Sequence, residues 1–486
     1  IKAENPYGKQ KGNESMEGTK IGVPLEGFGD KVREAAAEGM VLLKNEQQMF
    51  PLTKEDNVAL FGRCQINYYK SGTGSGGAVH TPYTTNLVEG FRRHKEISLN
   101  EELISVYEDW IKENPFDNGG GVWAGEPWYQ KEMPVSEALV KKARKTSNKA
   151  LVVIGRTAGE DQDNAAVEGS YLLTKEEEAL IEIVAASFEK TAVVLNVSNI
   201  MDMSWLCTMK NREHICGVLY TWQGGMEAGN ASADVMTGAV TPSGKLPDTI
   251  AYHIEDYPST GDFGDEKKNC YKEDVYVGYR YFETFAPEKV QFPFGFGLSY
   301  TEFQTEITDT GISGEGKNGE ITIKVRVTNT GETYSGKEVV QIYYEAPQGR
   351  LGQPVRQLAA FGKTKLLAPG ESQNLTFTIG AEQMASYDDS GVTGCKNAYV
   401  LEAGLYRLYV GTDVRSAVLV NIEGKEGLEI PVCTVVQQLQ EVLAPTENFE
   451  RLRPGKLLEN GIYEASREKV PMQSISLKER IRENLP

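Results

Sequence analysis

The sequence is poor in the residues that build metal centres and covalent cross-links. Its 486 residues include six cysteines and four histidines, and no two cysteines form a Cys-x-x-Cys pair. Zinc sites and disulfide frameworks normally show closely spaced cysteines or histidines. We therefore expect free thiols, no metal ion and no cofactor. Free thiols in turn favour the reducing cytoplasm as the location.

Long apolar runs and an excess of basic charge are also missing. No segment approaches the roughly 20 apolar residues that span a bilayer, and the first residues lack both an initiator methionine and the apolar core of a signal peptide. The formal net charge of −18 disfavours nucleic acid, because phosphate binding needs clustered Lys and Arg. We expect a processed start, no membrane or nucleic-acid partner, and a neutral ligand.

Apolar strand-like and amphipathic helix-like segments alternate over the first 300 residues. Helices are predicted at 31–43 and 174–188, and strands at 58–62, 150–155, 192–197 and 215–220. Thr174 and Glu177 have the spacing of a capping box. Continuously apolar strands separated by helices are typical of parallel sheets covered on both faces. The fold class is thus α/β, and we predict an arm at 1–29 and a mostly parallel α/β sandwich domain at 30–300.

The pattern changes near residue 300. Short segments that alternate apolar and polar residues occur at 321–328, 339–344, 375–379 and 406–410, with Gly-containing turns between them. This pattern predicts an all-β antiparallel sandwich at 301–424. Regular patterning fades near Gly424, so 425–486 is predicted to be a linker, of which 474–486 is charged and helical in period. A chain of this length is expected to hold two to four domains.

Four local patterns stand in a fixed order between residues 155 and 300. They are Gly-Arg-Thr-Ala-Gly-Glu-Asp-Gln-Asp (155–163), Trp-Gln-Gly-Gly-Met-Glu-Ala-Gly (222–229), Tyr-Lys-Glu-Asp-Val-Tyr-Val-Gly-Tyr-Arg-Tyr-Phe (271–282) and Phe-Pro-Phe-Gly-Phe-Gly-Leu-Ser-Tyr (292–300). Together they resemble the second domain of glycoside hydrolase family 3, the β-glucosidase and β-xylosidase family. The resemblance implies that the following sandwich has fibronectin type III topology.

The resemblance also implies a missing part. Family members carry the catalytic nucleophile on a (β/α)8 barrel, whose Lys-His-Phe and Ser-Asp-Trp signatures are absent from this sequence. Asp109-Trp110 is the nearest dipeptide, but it lies in an amphipathic helical stretch and is rejected as the nucleophile. The domain order resembles the permuted arrangement in which the barrel follows. We expect the chain to stop about where that barrel would begin.

Glu273 is the catalytic residue that the resemblance implies. Retaining hydrolysis needs two carboxyl groups about 5–5.5 Å apart, one of which is the acid/base. A general acid must hold its proton near neutral pH. Three acidic neighbours would favour the protonated form of Glu273 if they stay close, namely Asp265, Glu266 and Asp274, whereas Lys272 would disfavour it. The alternative is a solvated charged loop.

A second acidic cluster follows the predicted strand at 150–155 and contains Glu160, Asp161 and Asp163. Ligands of parallel sheets bind beyond the carboxyl ends of the strands. We predict that Glu160 and Asp163 line or brace the sugar site. Direct acid/base catalysis by Glu160 is the alternative, and for Asp161 a plain polar loop remains open.

The run Gly-Thr-Gly-Ser-Gly-Gly at 72–77 formally matches a dinucleotide fingerprint. Such a fingerprint must directly follow a strand and open a helix, but this run lies several residues after a strand and Pro82 follows closely. The nucleotide-binding hypothesis is therefore disfavoured. We predict that Gly74 and Ser75 bring backbone close to the sugar; a flexible turn is the alternative.

Tryptophans are candidates for stacking on a sugar ring. Trp123 and Trp128 lie in or beside a Gly-rich insert and are predicted to form an exposed aromatic lip, with Trp123 as a substrate-binding residue. Trp222 follows a strand and precedes glycines, which favours packing over stacking. Arg280 is expected to anchor the loop that presents Glu273.

The resemblance implies a function with explicit alternatives. The chain would be the acid/base-bearing part of a retaining, exo-acting β-glucosidase that removes terminal non-reducing β-D-glucosyl residues. Its partners would be a β-glucoside or oligosaccharide and a (β/α)8 barrel, with a homo-oligomer as a further possibility. The alternatives are a β-xylosidase and a non-catalytic carbohydrate-binding or scaffold protein. Sugar and linkage preference stay open, because the barrel sets them.

Overall fold

The computed structural model describes residues 25–77, 79–264, 267, 270–440 and 450–469. The α-helices are α1 (Phe28–Gly39), α2 (Leu87–Arg93), α3 (Glu101–Glu113), α4 (Glu137–Arg144), α5 (Lys175–Ala185), α6 (Trp205–Thr208), α7 (Ala228–Thr237) and α8 (Tyr279–Phe285). Within the described ranges, none of them is long and apolar enough to cross a bilayer. Most of the predicted arm at 1–29 and the charged segment at 474–486 lie outside the described residues.

The strands fall into two groups along the chain. The first comprises β1 (Val41–Asn45), β2 (Asn57–Phe61), β3 (Ser98–Leu99), β4 (Lys149–Gly155), β5 (Thr191–Asn196), β6 (Ile215–Tyr220), β7 (Ile250–Ala251) and β8 (Val290–Phe292). The second comprises β9 (Phe303–Ser313), β10 (Glu320–Asn329), β11 (Val339–Glu345), β12 (Gln357–Lys363), β13 (Ser372–Gly380), β14 (Ser386–Asp388), β15 (Ala398–Leu401), β16 (Gly404–Gly411), β17 (Val418–Leu419), β18 (Leu428–Ile430), β19 (Thr434–Gln438), β20 (Glu450–Leu457) and β21 (Tyr463–Lys469).

A six-stranded sheet with the order β1-β6-β5-β4-β2-β3 forms the first domain. Strands β2 to β6 pair in parallel, as predicted, and β1 pairs antiparallel to β6 at one edge. Alternate residues of β4 enter different cores: Val152 and Ile154 face one, Leu151 and Val153 the other. Helices α3, α4 and α5 cover the first face, and α1, α2 and α7 the second. The expected two-sided α/β sandwich is confirmed.

The prediction of one helix through residues 31–43 is wrong in its second half. Helix α1 ends at Gly39, and the following residues form edge strand β1. Met40 and Leu42 face one core, whereas Val41 and Leu43 face the other. A strand buries consecutive residues on opposite faces, while a helix would bury one stripe. Burial on both sides therefore favours the strand.

The second strand group forms a β-sandwich. Strands β13, β10 and β9 make one sheet, and β12, β11, β16 and β17 make the other, with β18 paired to β16. On β10, alternate apolar residues point into the common core. The predicted antiparallel all-β sandwich is confirmed. None of the sheets formed by the described residues is a (β/α)8 barrel.

The expectation that regular structure ends near Gly424 is wrong, because strands occur within the described ranges 428–438 and 450–469. Strand β18 extends the sandwich, β19 pairs with β15, and β20 and β21 form an antiparallel hairpin. Nearly all of β21 is exposed, so it lacks the apolar alternation that identifies a strand in sequence. A linker role for the segment toward a barrel stays a prediction.

Candidate functional site

Three loops meet beyond the carboxyl ends of β2 and β4 and enclose a cleft of about 400 Å³. The first is the Gly-rich loop at 72–77, the second is the insert at 116–126, and the third follows β4. Among the lining residues are Tyr69, Gly74, Ser75, Phe116, Trp123, Glu126 and Asp161. This is the edge where parallel α/β sheets bind ligands. The cleft therefore gathers residues that sequence reasoning selected one by one.

Glu160 closes the Gly-rich loop from beside the cleft. The backbone N–H and the hydroxyl of Ser75 donate to Glu160 Oε2 at 2.9 and 2.5 Å. The Ser75 hydroxyl, followed by its N–H, holds the pKa of Glu160 below its usual range. A carboxylate kept ionised is a poor proton donor. The geometry thus favours a bracing role for Glu160 over acid catalysis.

The glycines of this loop are required by close contacts. Gly74 has φ +85°, and a Cβ there would lie 2.6 Å from Glu160 Cβ. A Cβ at Gly77 would lie 1.7 Å from the carbonyl oxygen of Gly72. No helix opens from the loop, because α2 begins only at Leu87. The geometry of a dinucleotide fingerprint is absent from this described segment.

The aromatic insert is held over the cleft by the loop after β4. The Ala124 N–H donates to Asp161 Oδ2 at 3.0 Å, and the neighbouring Trp123 side chain is 63% exposed. Trp128 Nε1 donates to the backbone oxygen of Asp163 at 2.9 Å. Trp123, Gly74 and Ser75 thus line one cleft, whereas neither Glu160 nor Asp163 is among the described residues that line it. Glu160 is connected to the cleft through its hydrogen bonds from Ser75.

Sequence reasoning missed two features of the cleft wall. Burial, followed by the charges of Asp161 and Asp117, raises the pKa of Glu126 above its usual range. Tyr69 and Phe116 form an edge-to-face pair with ring centroids 5.8 Å apart. In the sequence, only the position of Glu126 directly after Gly125 could have indicated that it belongs to the cleft wall. The contacts of Tyr69 and Phe116 join distant parts of the chain and leave no local signal.

Glu273 lies in a separate, tightly turned segment and not in the cleft lining. The Asp274 N–H donates to the Tyr271 carbonyl at 3.1 Å, and the Tyr276 N–H donates to the Glu273 carbonyl at 2.9 Å. Glu273 itself is 9% exposed, whereas Tyr271 is 74% and Val277 57% exposed. Glu273 is therefore nearly buried within a segment whose neighbouring apolar side chains are exposed.

Contacts on both sides fix this segment. Lys272 Nζ pairs with Asp262, which directs its charge away from the neighbouring Glu273. Burial raises the pKa of Asp274 above its usual range, against the opposing charge of Arg451. The other two acidic neighbours, Asp265 and Glu266, lie outside the described residues.

Two expectations about packing have different outcomes. Trp222 packs, as predicted: its ring centroid lies 4.6 Å from that of Tyr220, and its Nε1 donates to the Gly39 carbonyl at 3.0 Å. The guanidinium carbon of Arg280 lies 6.0 Å from the Tyr279 ring centroid, and its role as the anchor of the Glu273 segment stays a prediction. Contacts to the segment also come from β20, which sequence reasoning did not consider.

The described residues contain no group of three or more His, Cys, Asp or Glu side chains that could hold a metal ion. All six cysteines are free thiols. What the site offers is carboxyl groups, hydroxyls, backbone N–H groups and an exposed indole. These groups bind neutral polar ligands and transfer protons.

The two domains and their loops define a class of carbohydrate-active protein. Residues 40–300 match the glycosyl hydrolase family 3 C-terminal domain, and residues 338–414 match the fibronectin type III-like domain. The first match alone covers more than half of the chain. The chain therefore belongs to glycosyl hydrolase family 3.

Individual relatives agree with this assignment. A β-glucosidase of Ruminococcus albus is 46% identical over 427 residues, which is 87% of this chain and 43% of that protein. β-Glucosidase A of Butyrivibrio fibrisolvens is 38% identical, over 89% of this chain and 54% of that protein. The crystal structure of a Paenibacillus barengoltzii β-glucosidase has a TM-score of 0.94 and 55% identity, over 96% of this chain and 50% of that one. The chain spans about half the length of the relatives it matches.

Proposed function

We propose that this chain supplies the acid/base residue, Glu273, of a retaining exo-acting β-glucosidase that hydrolyses terminal non-reducing β-D-glucosyl residues. A (β/α)8 barrel would supply the nucleophile. The observation that supports the proposal is the position of the nearly buried Glu273 on a tight turn whose neighbouring apolar side chains are exposed. The β-glucosidases among the relatives support the substrate class.

The surface around Glu273 suits contact with a further domain. Tyr271, Val275, Val277 and Phe263 are all exposed. Exposed apolar groups of this kind mark surfaces that another structure covers. A barrel that covered them would bring its nucleophilic carboxyl group to the Glu273 segment, as retaining hydrolysis requires.

In the proposal, the cleft loops supply sugar contacts. The exposed Trp123 indole offers an apolar face for a sugar ring, and Gly74 and Ser75 bring backbone to the cleft wall. Glu160 would support the sugar site by holding Ser75, and Asp163 by accepting the Trp128 Nε1–H through its backbone oxygen. We also propose a cytoplasmic location, which the six free thiols support.

The test uses a chimera, in which this chain is joined to the part of the Paenibacillus barengoltzii β-glucosidase that it does not match. Aryl β-glucosides should be hydrolysed by the chimera and not by this chain alone. Glu273→Ala in the chimera should lower kcat/KM about 10²–10⁴-fold for poor leaving groups, but much less for 2,4-dinitrophenol, which departs without a proton. Azide should restore part of the kcat that Glu273→Ala loses with the 2,4-dinitrophenyl substrate, because azide attacks the glycosyl-enzyme without a general base.

Glu160→Gln is the matched comparison, because Glu160 is the rival acid. Glu160→Gln should raise KM by a similar factor for all substrates, whatever their leaving group. An effect of Glu273→Ala below about tenfold, or hydrolysis by this chain alone, would refute the proposal. Sugar binding by an inactive chimera would favour the non-catalytic alternative.

A further inference from the structure

The hairpin of β20 and β21 lies against the segment that carries Glu273, although about 180 residues separate the two in sequence. The backbone N–H of Leu452 donates to the carbonyl of Lys272 at 2.7 Å. The Leu452 side chain is buried. The hairpin thus fixes the backbone one residue before Glu273.

Arg451 contacts the residue on the other side of Glu273. Its side chain is 8% exposed, and Nη1 lies 3.4 Å from Asp274 Oδ2. The same guanidinium donates to both carboxylate oxygens of Asp389 at 2.7 and 3.1 Å. Bidentate pairs of this kind restrict the orientation of the arginine. Asp389, next to strand β14, therefore fixes Arg451, and Arg451 in turn faces Asp274.

The backbone of Asp274 adopts a conformation that these contacts can enforce. Asp274 has φ +52°, in the left-handed region that non-glycine residues adopt at a cost. Such a conformation persists when surrounding contacts enforce it. The Lys272 carbonyl on one side and the Asp274 carboxylate on the other are both held by the hairpin. Release of either contact would let the intervening Glu273 change direction.

We propose that Arg451 is a positioning residue that fixes the direction of the Glu273 carboxyl group through Asp274. The inference rests on the proposed role of Glu273 as the acid/base. A displacement of about 1 Å at a reacting group costs about 10²-fold in rate. Arg451 would therefore act on proton transfer and not on sugar binding.

The test compares leaving groups in the chimera. Arg451→Gln should lower kcat/KM about 10–10²-fold for aryl β-glucosides with poor leaving groups, with little loss of kcat/KM for 2,4-dinitrophenyl β-glucoside. Arg467→Gln removes a charge from the exposed partner strand, opposite Leu452, and should change neither. A loss that is equal for all leaving groups, or no loss, would overturn the inference.

Two further measurements keep the test independent of folding and of the proposed function. Asp274→Asn removes the charge that Arg451 faces but keeps a residue that tolerates positive φ; it should reproduce the leaving-group dependence. In this chain alone, Arg451→Gln should speed hydrogen exchange of amides 271–278 relative to Arg467→Gln. Unchanged exchange would refute the positioning role. Glu273→Ala could leave the activity of the chimera nearly unchanged while Arg451→Gln still speeds hydrogen exchange. In that case the proposed function is refuted, but the positioning of the segment by Arg451 is supported.

Discussion

A buried ion pair at the base of the cleft gives a sharp stability prediction. Arg156 follows β4 and Glu177 lies in the first turn of α5, and their side chains are 4% and 6% exposed. Arg156 Nη1 donates to Glu177 Oε1 at 2.6 Å, and Nη2 donates to Oε2. Glu177 also accepts the Thr174 N–H at 2.8 Å. The pair thus joins both ends of the acidic loop that contains Glu160.

Glu177→Gln should destabilise the chain by about 3 kcal/mol. Removing one partner of a buried pair costs about 3–5 kcal/mol, because the other charge stays buried without compensation. Glutamine keeps the size of the side chain and can still accept the Thr174 N–H, so the lower end of that range applies. One kcal/mol shifts Tm by about 2–4 °C for a large domain. The expected loss is therefore roughly 6–12 °C.

Thermal unfolding followed by circular dichroism at pH 7 measures this loss. Glu178→Gln, at the next and exposed position, is the matched control and should stay within about 0.5 kcal/mol. The double variant Arg156→Met with Glu177→Leu should recover much of the stability, because it leaves no unpaired charge. A loss no larger than that of Glu178→Gln would refute the reasoning. So would a double variant less stable than Glu177→Gln.

Two further predictions concern the cleft and its surroundings. Gly74→Ala should lower the unfolding free energy by about 1–2 kcal/mol, because its φ is +85° and its Cβ would meet Glu160; Gly76→Ala, with no atom within 4 Å of its Cβ, should be neutral in the same thermal assay, and equal effects would contradict this account. Burial raises the pKa of Glu132 to about 7, so its stabilising contribution is complete below the unfolded pKa near 4.5 and is lost as pH rises through about 7. Glu132→Gln should therefore gain unfolding free energy relative to the parent chain between pH 5 and 8, by up to about 3 kcal/mol, and an unchanged difference in urea titrations would contradict it.

Features governed by local rules could be predicted from sequence. The parallel strands β4, β5 and β6 are uninterrupted apolar runs, and the start of α5 follows from the capping box of Thr174 and Glu177, which the structure forms. Each signal lies within a few residues, and local propensity agrees with the final fold. The sandwich strands could be predicted equally well, because apolar and polar residues alternate along β10 and the apolar residues are the buried ones.

Features that depend on distant contacts could not be predicted. Residues 41–43 show helical spacing, but pairing with β6 places them in a strand. The hairpin after residue 449 is largely polar, and its contacts include those to Lys272 and Asp274. Sequence reasoning considered nearby Arg280 as the anchor of the Glu273 segment, whereas the contact of the distant Arg451 with Asp274 left no local signal. Helix caps and apolar periodicity produce sequence patterns at a fixed spacing, but contacts between distant residues do not.

The two candidate carboxyl groups differ in their surroundings within this chain. Glu160 is held ionised by Ser75 and so braces the Gly-rich loop. Glu273 is 9% exposed, and its neighbours Tyr271 and Val277 face solvent. If the proposed barrel docks on this surface, Glu273 and the nucleophile would meet only in the complete active site. One chain could then present the acid/base residue, while hydrolysis would require both domains.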